Sequence, residues 1–359
     1  MTAAVPTRRR VVAIDVARAL AIVGVVINHS IDGLVAAGLA PPGGWLHDAN
    51  AALHVFRMPT LVFLVGVFVP LSAVKRGRLA SALDRVRLFG WLYLVWFILQ
   101  GAIEFGTNDL RNTPRGIAES LRPWESFAHL WFLPFLVVTA VVLAVLAPWR
   151  SRSRAAGSLV LLFATAVTTW SWNSDVVGLT GLSLLFFAAA GSAIGMNRVS
   201  QLLSADPRLV AATAGVALTL FLLLSPWDLA PATRLGPTAP VPERLAAMVA
   251  AVAGMAALLA VASLLARTGP LARRLASIGR ETLPIFLAHV MVVAGVRVCM
   301  VGAGVTSPLL ILGVAVVLGV AIPLAARAIV RRSAFTAWVF DLPRWATRPD
   351  VRRSERAPN

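Results

Sequence analysis

The sequence predicts an all-α, polytopic transmembrane helical bundle, and three observations predict it: the composition, the spacing of the apolar runs and the alternation of basic residues between them. Hydrophobic residues make up 58% of the 359 residues and charged residues 14%, with a mean hydropathy of +0.80. A soluble domain carries about 25% charged residues. This chain lacks the polar surface to cover itself in water, so lipid is the solvent it fits. Apolar runs recur at about 11–31, 50–74, 86–106, 127–147, 157–173, 179–196, 208–225, 243–266, 282–301 and 307–329. A helix needs about 20 apolar residues to cross the hydrocarbon core, and a helix satisfies its own backbone polar groups there. About ten spans are therefore expected.

Basic residues orient the runs. Counted outside the runs or at their edges, 25 of the 33 Lys and Arg residues fall in alternate segments that share one side and five on the other; three lie well inside runs. The basic side faces the cytoplasm, which places both termini there. Residues 1–10 form a basic N-terminal segment, 11–330 the membrane domain and 331–359 an Arg- and Pro-rich cytoplasmic tail with the composition of a disordered segment. The first run follows Arg8, Arg9 and Arg10, yet it carries Asp15 and Arg18 and has no small-residue cleavage site, so a retained span is expected rather than a signal peptide. The formal charge of +17 lies in short clusters between apolar runs, a distribution that argues against nucleic acid as a partner. The lone cysteine, Cys299, excludes an intrachain disulfide.

Charged and polar groups inside a membrane are costly, and those that persist face a cavity or a partner. Asp15 and Arg18 lie three residues apart on one helix face. Arg18 and His29 lie eleven apart, close to three whole turns, so all three share one stripe, with His29 toward the outer half. Two readings fit: an ion pair at a helix end with a snorkelling histidine, or a polar pathway with His29 as general base. In the second run His54 and Arg57 share a face, followed by Pro59, which frees backbone carbonyls. Arg57 reads either as a binding group or as a structural partner. His129 and Trp131 open the fourth run, His289 lies in the ninth, and Glu104 ends the third. Each has a bland reading, as a helix–helix hydrogen bond, an interfacial carboxylate or a belt aromatic. His29, His54, Arg57, Glu104 and His129 nevertheless fall at one depth on four runs, and the cluster outweighs its members. No metal-binding His-Glu-x-x-His or Cys-x-x-Cys and no phosphate loop occurs.

The pattern Ile14-Asp15-x-x-Arg18-Ala-Leu-Ala-Ile closing at His29 resembles the first helix of the membrane acyltransferase-3 family, in which an Arg and a His are separated by ten residues. His54-x-x-Arg57-Met58-Pro59-x-x-x-Phe63-Leu-Val-Gly66, His129-Leu-Trp131-Phe132-Leu133 and Ile285-Phe-Leu-Ala-His289 also resemble it, over about 10–330. The resemblance implies a ten-span, stand-alone O-acyltransferase that moves an acyl group, acetyl by family habit, from cytoplasmic acyl-CoA to a hydroxyl of a sugar, glycan or glycolipid. It implies His29 as the catalytic base or acyl relay, with Arg18 and Asp15 at the inner end of the motif. It places His54, Arg57, Glu104, His129, Trp131 and His289 around the acceptor. A family arginine pair associated with CoA is matched by Arg85-Val-Arg87, with Lys75, Arg76 and Arg78 nearby; the spacing differs from the family's Arg-x-x-Arg. The expected partners are the lipid bilayer, acyl-CoA and the acceptor, with no metal and no permanently bound cofactor, and the expected location is a bacterial cytoplasmic membrane. A secondary transporter or flippase for a polar or anionic substrate is the alternative, since intramembrane Arg and His suit that role too. No inverted repeat of the transporter kind is present.

Overall fold

The computed structural model describes residues 12–106, 122–125, 128–225, 229–233, 239–333, 336–343 and 345–346. Among them the chain forms helices α1 (Val12–Ala36), α2 (Trp45–Arg76), α3 (Arg78–Gly106), α4 (Phe132–Leu146), α5 (Arg152–Thr169), α6 (Leu185–Leu203), α7 (Pro207–Leu224), α8 (Val241–Leu265), α9 (Pro270–Arg280), α10 (Thr282–Gly302) and α11 (Pro308–Val330). All but α9 coincide with the apolar runs. Strand pairing is limited among these residues to one isolated bridge, Glu125 to Val176, as expected of a chain whose peptide groups must be satisfied away from water.

Nine of these segments are long and apolar enough to cross a membrane. The α5 helix is not among them, because its eighteen residues include Arg152, Arg154 and several hydroxyl side chains. Its backbone is nonetheless closed at both ends. Ser151 accepts from the Arg154 N–H at 3.2 Å, and Arg244 donates to the Val167 and Thr168 carbonyls at 3.0 Å each. Such contacts satisfy the carbonyls that the last helical turn leaves open.

The α9 helix has no counterpart among the apolar runs. Gly269, at a φ of 66°, turns the chain, and Pro270 occupies the first helical turn, where its missing N–H costs nothing. Ala272, Ala276 and Gly279 are buried while Arg273, Arg274 and Arg280 are exposed. It is a short amphipathic helix laid against the Arg18 end of α1. The contact is made through Gly279, where an added Cβ would lie 1.7 Å from the Asp15 carbonyl oxygen.

At the centre stands α1, packed by α2, α8, α9, α10 and α11. Ile14, Val16, Ala17, Ala19, Ala21 and Ile22 are at most 1% exposed. A helix apolar on every side is a buried helix, so its few polar residues face protein rather than lipid. The α2 and α6 helices meet backbone to backbone. A Cβ on Gly66 would lie 2.1 Å from the Ala188 carbonyl oxygen, and one on Gly191 would lie 2.1 Å from that of Phe63. Small residues permit this approach where no hydrophobic force joins helices in lipid. Gly191→Ala should therefore push α6 off α2 and cost about 1–3 kcal/mol. A lowered thermal midpoint of the detergent-solubilised protein is the expected readout, and an unchanged midpoint would contradict the contact.

Part of the tail packs on the bundle. Trp91 and Trp96 of α3 donate their indole N–H groups to the Trp338 and Val339 carbonyls at 2.9 and 2.7 Å, and Phe340 is 3% exposed. Arg327 on α11 bridges Glu281 at 2.7 Å and Asp341 at 3.2 Å. Residues 347–359 lie outside the described part.

Candidate functional site

Three imidazoles meet in the half of the bundle remote from Arg18. The His29 ring on α1 lies 5.1 Å from that of His289 on α10 and 6.0 Å from that of His129, which sits in a 3-10 turn (Ala128–Trp131) leading into α4. His129 and His289 are 5.1 Å apart. His289 is fully buried and His129 is 4% exposed, whereas His29 is half-buried and faces open space. Among the described residues no three His, Cys, Asp or Glu side chains are arranged to hold a metal ion.

Hydrogen bonds set the tautomers of the two buried rings. Nδ1 of His289 lies 3.0 Å from the Ile285 carbonyl and 2.8 Å from that of Phe286. A carbonyl only accepts, so Nδ1 carries the proton and Nε2 is left as a buried lone pair with no hydrogen-bond partner. The Gln100 amide nitrogen on α3 donates to the Leu287 carbonyl at 3.4 Å and lies 3.3 Å from His129 Nε2. The first contact fixes the amide orientation; the second then makes Nε2 the acceptor and leaves the proton on the buried Nδ1, in a ring that also lies within hydrogen-bonding range of the Phe286 and Leu287 backbone. One lone pair and one N–H are thus held ready beside His29.

Beneath this cluster Arg57 is locked into a closed polar network. It is 3% exposed. Its guanidinium donates to the Gly24 carbonyl at 2.8 Å, the Asn50 side chain at 3.0 Å, the Asn50 carbonyl at 2.9 Å and the Asn28 side chain at 2.6 Å. Both asparagines pass the charge on: Asn28 donates to Asp32 at 2.7 Å and Asn50 donates to the other Asp32 oxygen at 2.9 Å. Arg57 and Asp32 are therefore joined through two amides, and the network ties α2 to the turns of α1 on either side of His29.

At the opposite end Arg18 donates to the Thr282 hydroxyl at 2.9 Å and lies over the Phe68 ring at 5.8 Å. Arg18 and His29 are eleven residues apart, roughly 16 Å at 1.5 Å per residue. The basic cluster at the α2–α3 turn divides in two. Arg85 turns inward, donating to Ser72 at 2.5 Å and Ser81 at 2.7 Å, and Arg76 pairs with Asp84 at 3.1 Å. Lys75 and Arg87 are exposed and Arg78 half-buried.

A cavity of about 270 Å³ opens at His29. Ser30, Asp32 and Arg297 supply its polar wall, and Val290, Val293, Ile311 and Ala315 its apolar one. A larger groove, about 740 Å³, runs along α7 and α8. Its lining has one hydroxyl, Thr213, and no titratable group, so it suits lipid chains and lacks the means for hydroxyl chemistry.

Of the residues singled out in the sequence, the structure brings His29, His129 and His289 together and sets Arg57 beside them. His54, half-buried, lies one turn before Arg57. Trp131 packs on Phe132 and Phe135 at 5.6 and 6.0 Å, under Gly181, rather than lining the cavity. Asp15 is buried where α9 crosses α1. The Glu104 side chain lies outside the described part. Gln100, Asn50, Asp32, Thr282 and Arg297 were not predicted. Each sits near a run end or on a helix face whose neighbour the sequence does not reveal; the one available signal was polarity next to an apolar run.

Compared with known families, residues 11–328, nearly the whole chain, match the acyltransferase-3 family model, which is described as an acyltransferase domain. No curated protein matches, and no solved structure matches.

Proposed function

Since the chain belongs to the acyltransferase-3 family and is a membrane acyltransferase, we propose that it moves an acyl group, acetyl by preference, from acyl-CoA to a hydroxyl of a sugar, glycan or glycolipid. The observation that carries this reading is the half-open His29 ring between two buried, tautomer-fixed imidazoles. A hydroxyl is a poor nucleophile until a base takes its proton, and histidine has the intrinsic pKa for the task.

The chemistry follows from that placement. His29 removes the acceptor proton as the hydroxyl oxygen attacks the thioester carbonyl. The C–O bond forms, the C–S bond breaks, and the CoA sulfur leaves as the thiol after taking up that proton. The His129 Nδ1–H is a ready donor toward negative charge developing on the carbonyl oxygen, the kind of pre-placed dipole that stabilises a transition state. Gln100 holds His129 in the required tautomer, and the lone pair of His289 gives a second station for the proton.

Sidedness completes the reading. In this reading Arg18, α9 and the α2–α3 turn lie at the cytoplasmic face of a cell membrane with both termini on that side, an arrangement the positive-inside rule supports. The exposed Lys75 and Arg87, with half-buried Arg78 beside them, would meet the phosphates of CoA, which arginine grips bidentately, and Arg85 is held inward behind them. The extended, amide-bearing arm of CoA then threads from Arg18 toward His29. The test is thiol release from acetyl-CoA by membranes containing the protein, followed together with ester-linked label. The two should appear in equal amounts. Substrate movement with no thiol release would support the transporter reading instead.

A further inference from the structure

Arg297 is a cation within an apolar run. It lies on α10, and its Nη1 donates to the Gly33 carbonyl at 2.5 Å. Gly33 follows His29 by four residues, one turn along the same face of α1, so the guanidinium stands roughly 6 Å beyond the level of His29 along that helix. Among the described residues no carboxylate lies within 4 Å of it. Asp32, the acid nearest in sequence to Gly33, has both oxygens taken by Asn28 and Asn50. The half-buried guanidinium lines the His29 cavity together with Asp32, whose charge is already balanced by Arg57 through Asn28 and Asn50. A charge at this depth is costly unless it is paired or opens to a cavity, and this one opens to a cavity with its other wall apolar.

We propose that Arg297 is a specificity-determining residue that selects an amphipathic acceptor bearing an anionic group, such as a phosphate, close to the hydroxyl that is acylated. The proposal rests on the acyltransfer reading of His29. In it, the anion takes the free edge of the Arg297 guanidinium, the hydroxyl reaches His29, and the apolar part of the acceptor lies along Val290, Val293, Ile311 and Ala315. At about 270 Å³ the cavity is near the lower limit for small-molecule sites, enough for a compact head group with its chain leaving toward lipid. A neutral sugar would leave Arg297 without a counter-charge.

The test uses the full-length protein in membranes and measures transfer of label from acetyl-CoA. Octyl phosphate, octyl glucoside and inorganic phosphate serve as competing probes, all below permeabilising concentration. Octyl phosphate should inhibit the wild type more strongly than either the neutral amphiphile or free phosphate. Arg297→Gln should weaken that inhibition roughly ten- to hundredfold, the scale of a charge-assisted hydrogen bond, and should raise the KM for the native acceptor with little change in kcat. Arg297→Lys, which keeps the charge, should recover part of both effects. If Arg297 served only to tie α10 to α1, the glutamine variant would lower thermal stability and kcat and shift the two amphiphiles alike; that result overturns the proposal. Inhibition by octyl phosphate that is no stronger than by octyl glucoside also overturns it. Inorganic phosphate acting as strongly as octyl phosphate would exclude an amphipathic acceptor. Failure of the underlying transfer reading shows separately, as label transfer that survives His29→Ala.

Discussion

His29→Ala should lower acyl transfer by about 10²- to 10⁴-fold, the usual contribution of a positioned general base, while leaving the amount of inserted protein unchanged. The variant removes a half-buried ring at a cavity that no described hydrogen bond depends on, so the fold loses little. Its neighbours keep their own anchors: His289 remains on the Ile285 and Phe286 carbonyls, and His129 on Gln100. Neither lies against the open cavity as His29 does, so neither replaces it. Transfer measured at matched expression checks this. Wild-type turnover in the variant would move the base elsewhere, with His129 or His289 as the next candidates.

Arg57→Ala should be worse than inactive, because it should fail to fold normally. Four donor contacts disappear at once. The Asn28 and Asn50 oxygens then stand buried without donors, and the negative charge of Asp32 loses the cation that balances it through the two amides. Removing one partner of a buried charged network costs about 3–5 kcal/mol, a large share of the stability of a typical domain. Arg57→Lys should not restore the loss. A single ammonium cannot reach four acceptors from two sides as a planar fork does. The expected readout is a sharp fall in the monodisperse fraction of detergent-solubilised protein, for both variants. A well-folded alanine variant with weakened acceptor binding alone would assign Arg57 to the substrate instead.

Most helices were legible because their apolar runs are about as long as a membrane is thick, a signal independent of neighbours, although the fifth run forms α5, which is not among the nine segments apolar enough to cross. The exception, α9, is short, basic and amphipathic; it is held in place by one glycine against Asp15, a contact invisible in one dimension. The depth of polar residues was also legible from their position within a run. Direction was not. The grouping of His29, His54, Arg57, Glu104 and His129 by depth omits His289, yet the packing of α1 against α10 carries His289 to within 5.1 Å of His29. Arg57 had two readings in the sequence, and Asn50 and Asp32 give the structural one its partners. Both sit toward the ends of their helices, where polarity is ordinary. Arg297 registered only as a third arginine inside a run, because its use depends on a cavity built by three separate helices.

Transfer by His29 is tested most directly by presenting acetyl-labelled acetyl-CoA only to the Arg-rich face, in sealed inside-out vesicles, with wild type and His29→Ala at equal levels. Ester-linked label is expected in a membrane glycan or glycolipid with the wild type, and none above background with the variant or in right-side-out vesicles. Equal labelling by both proteins would contradict it.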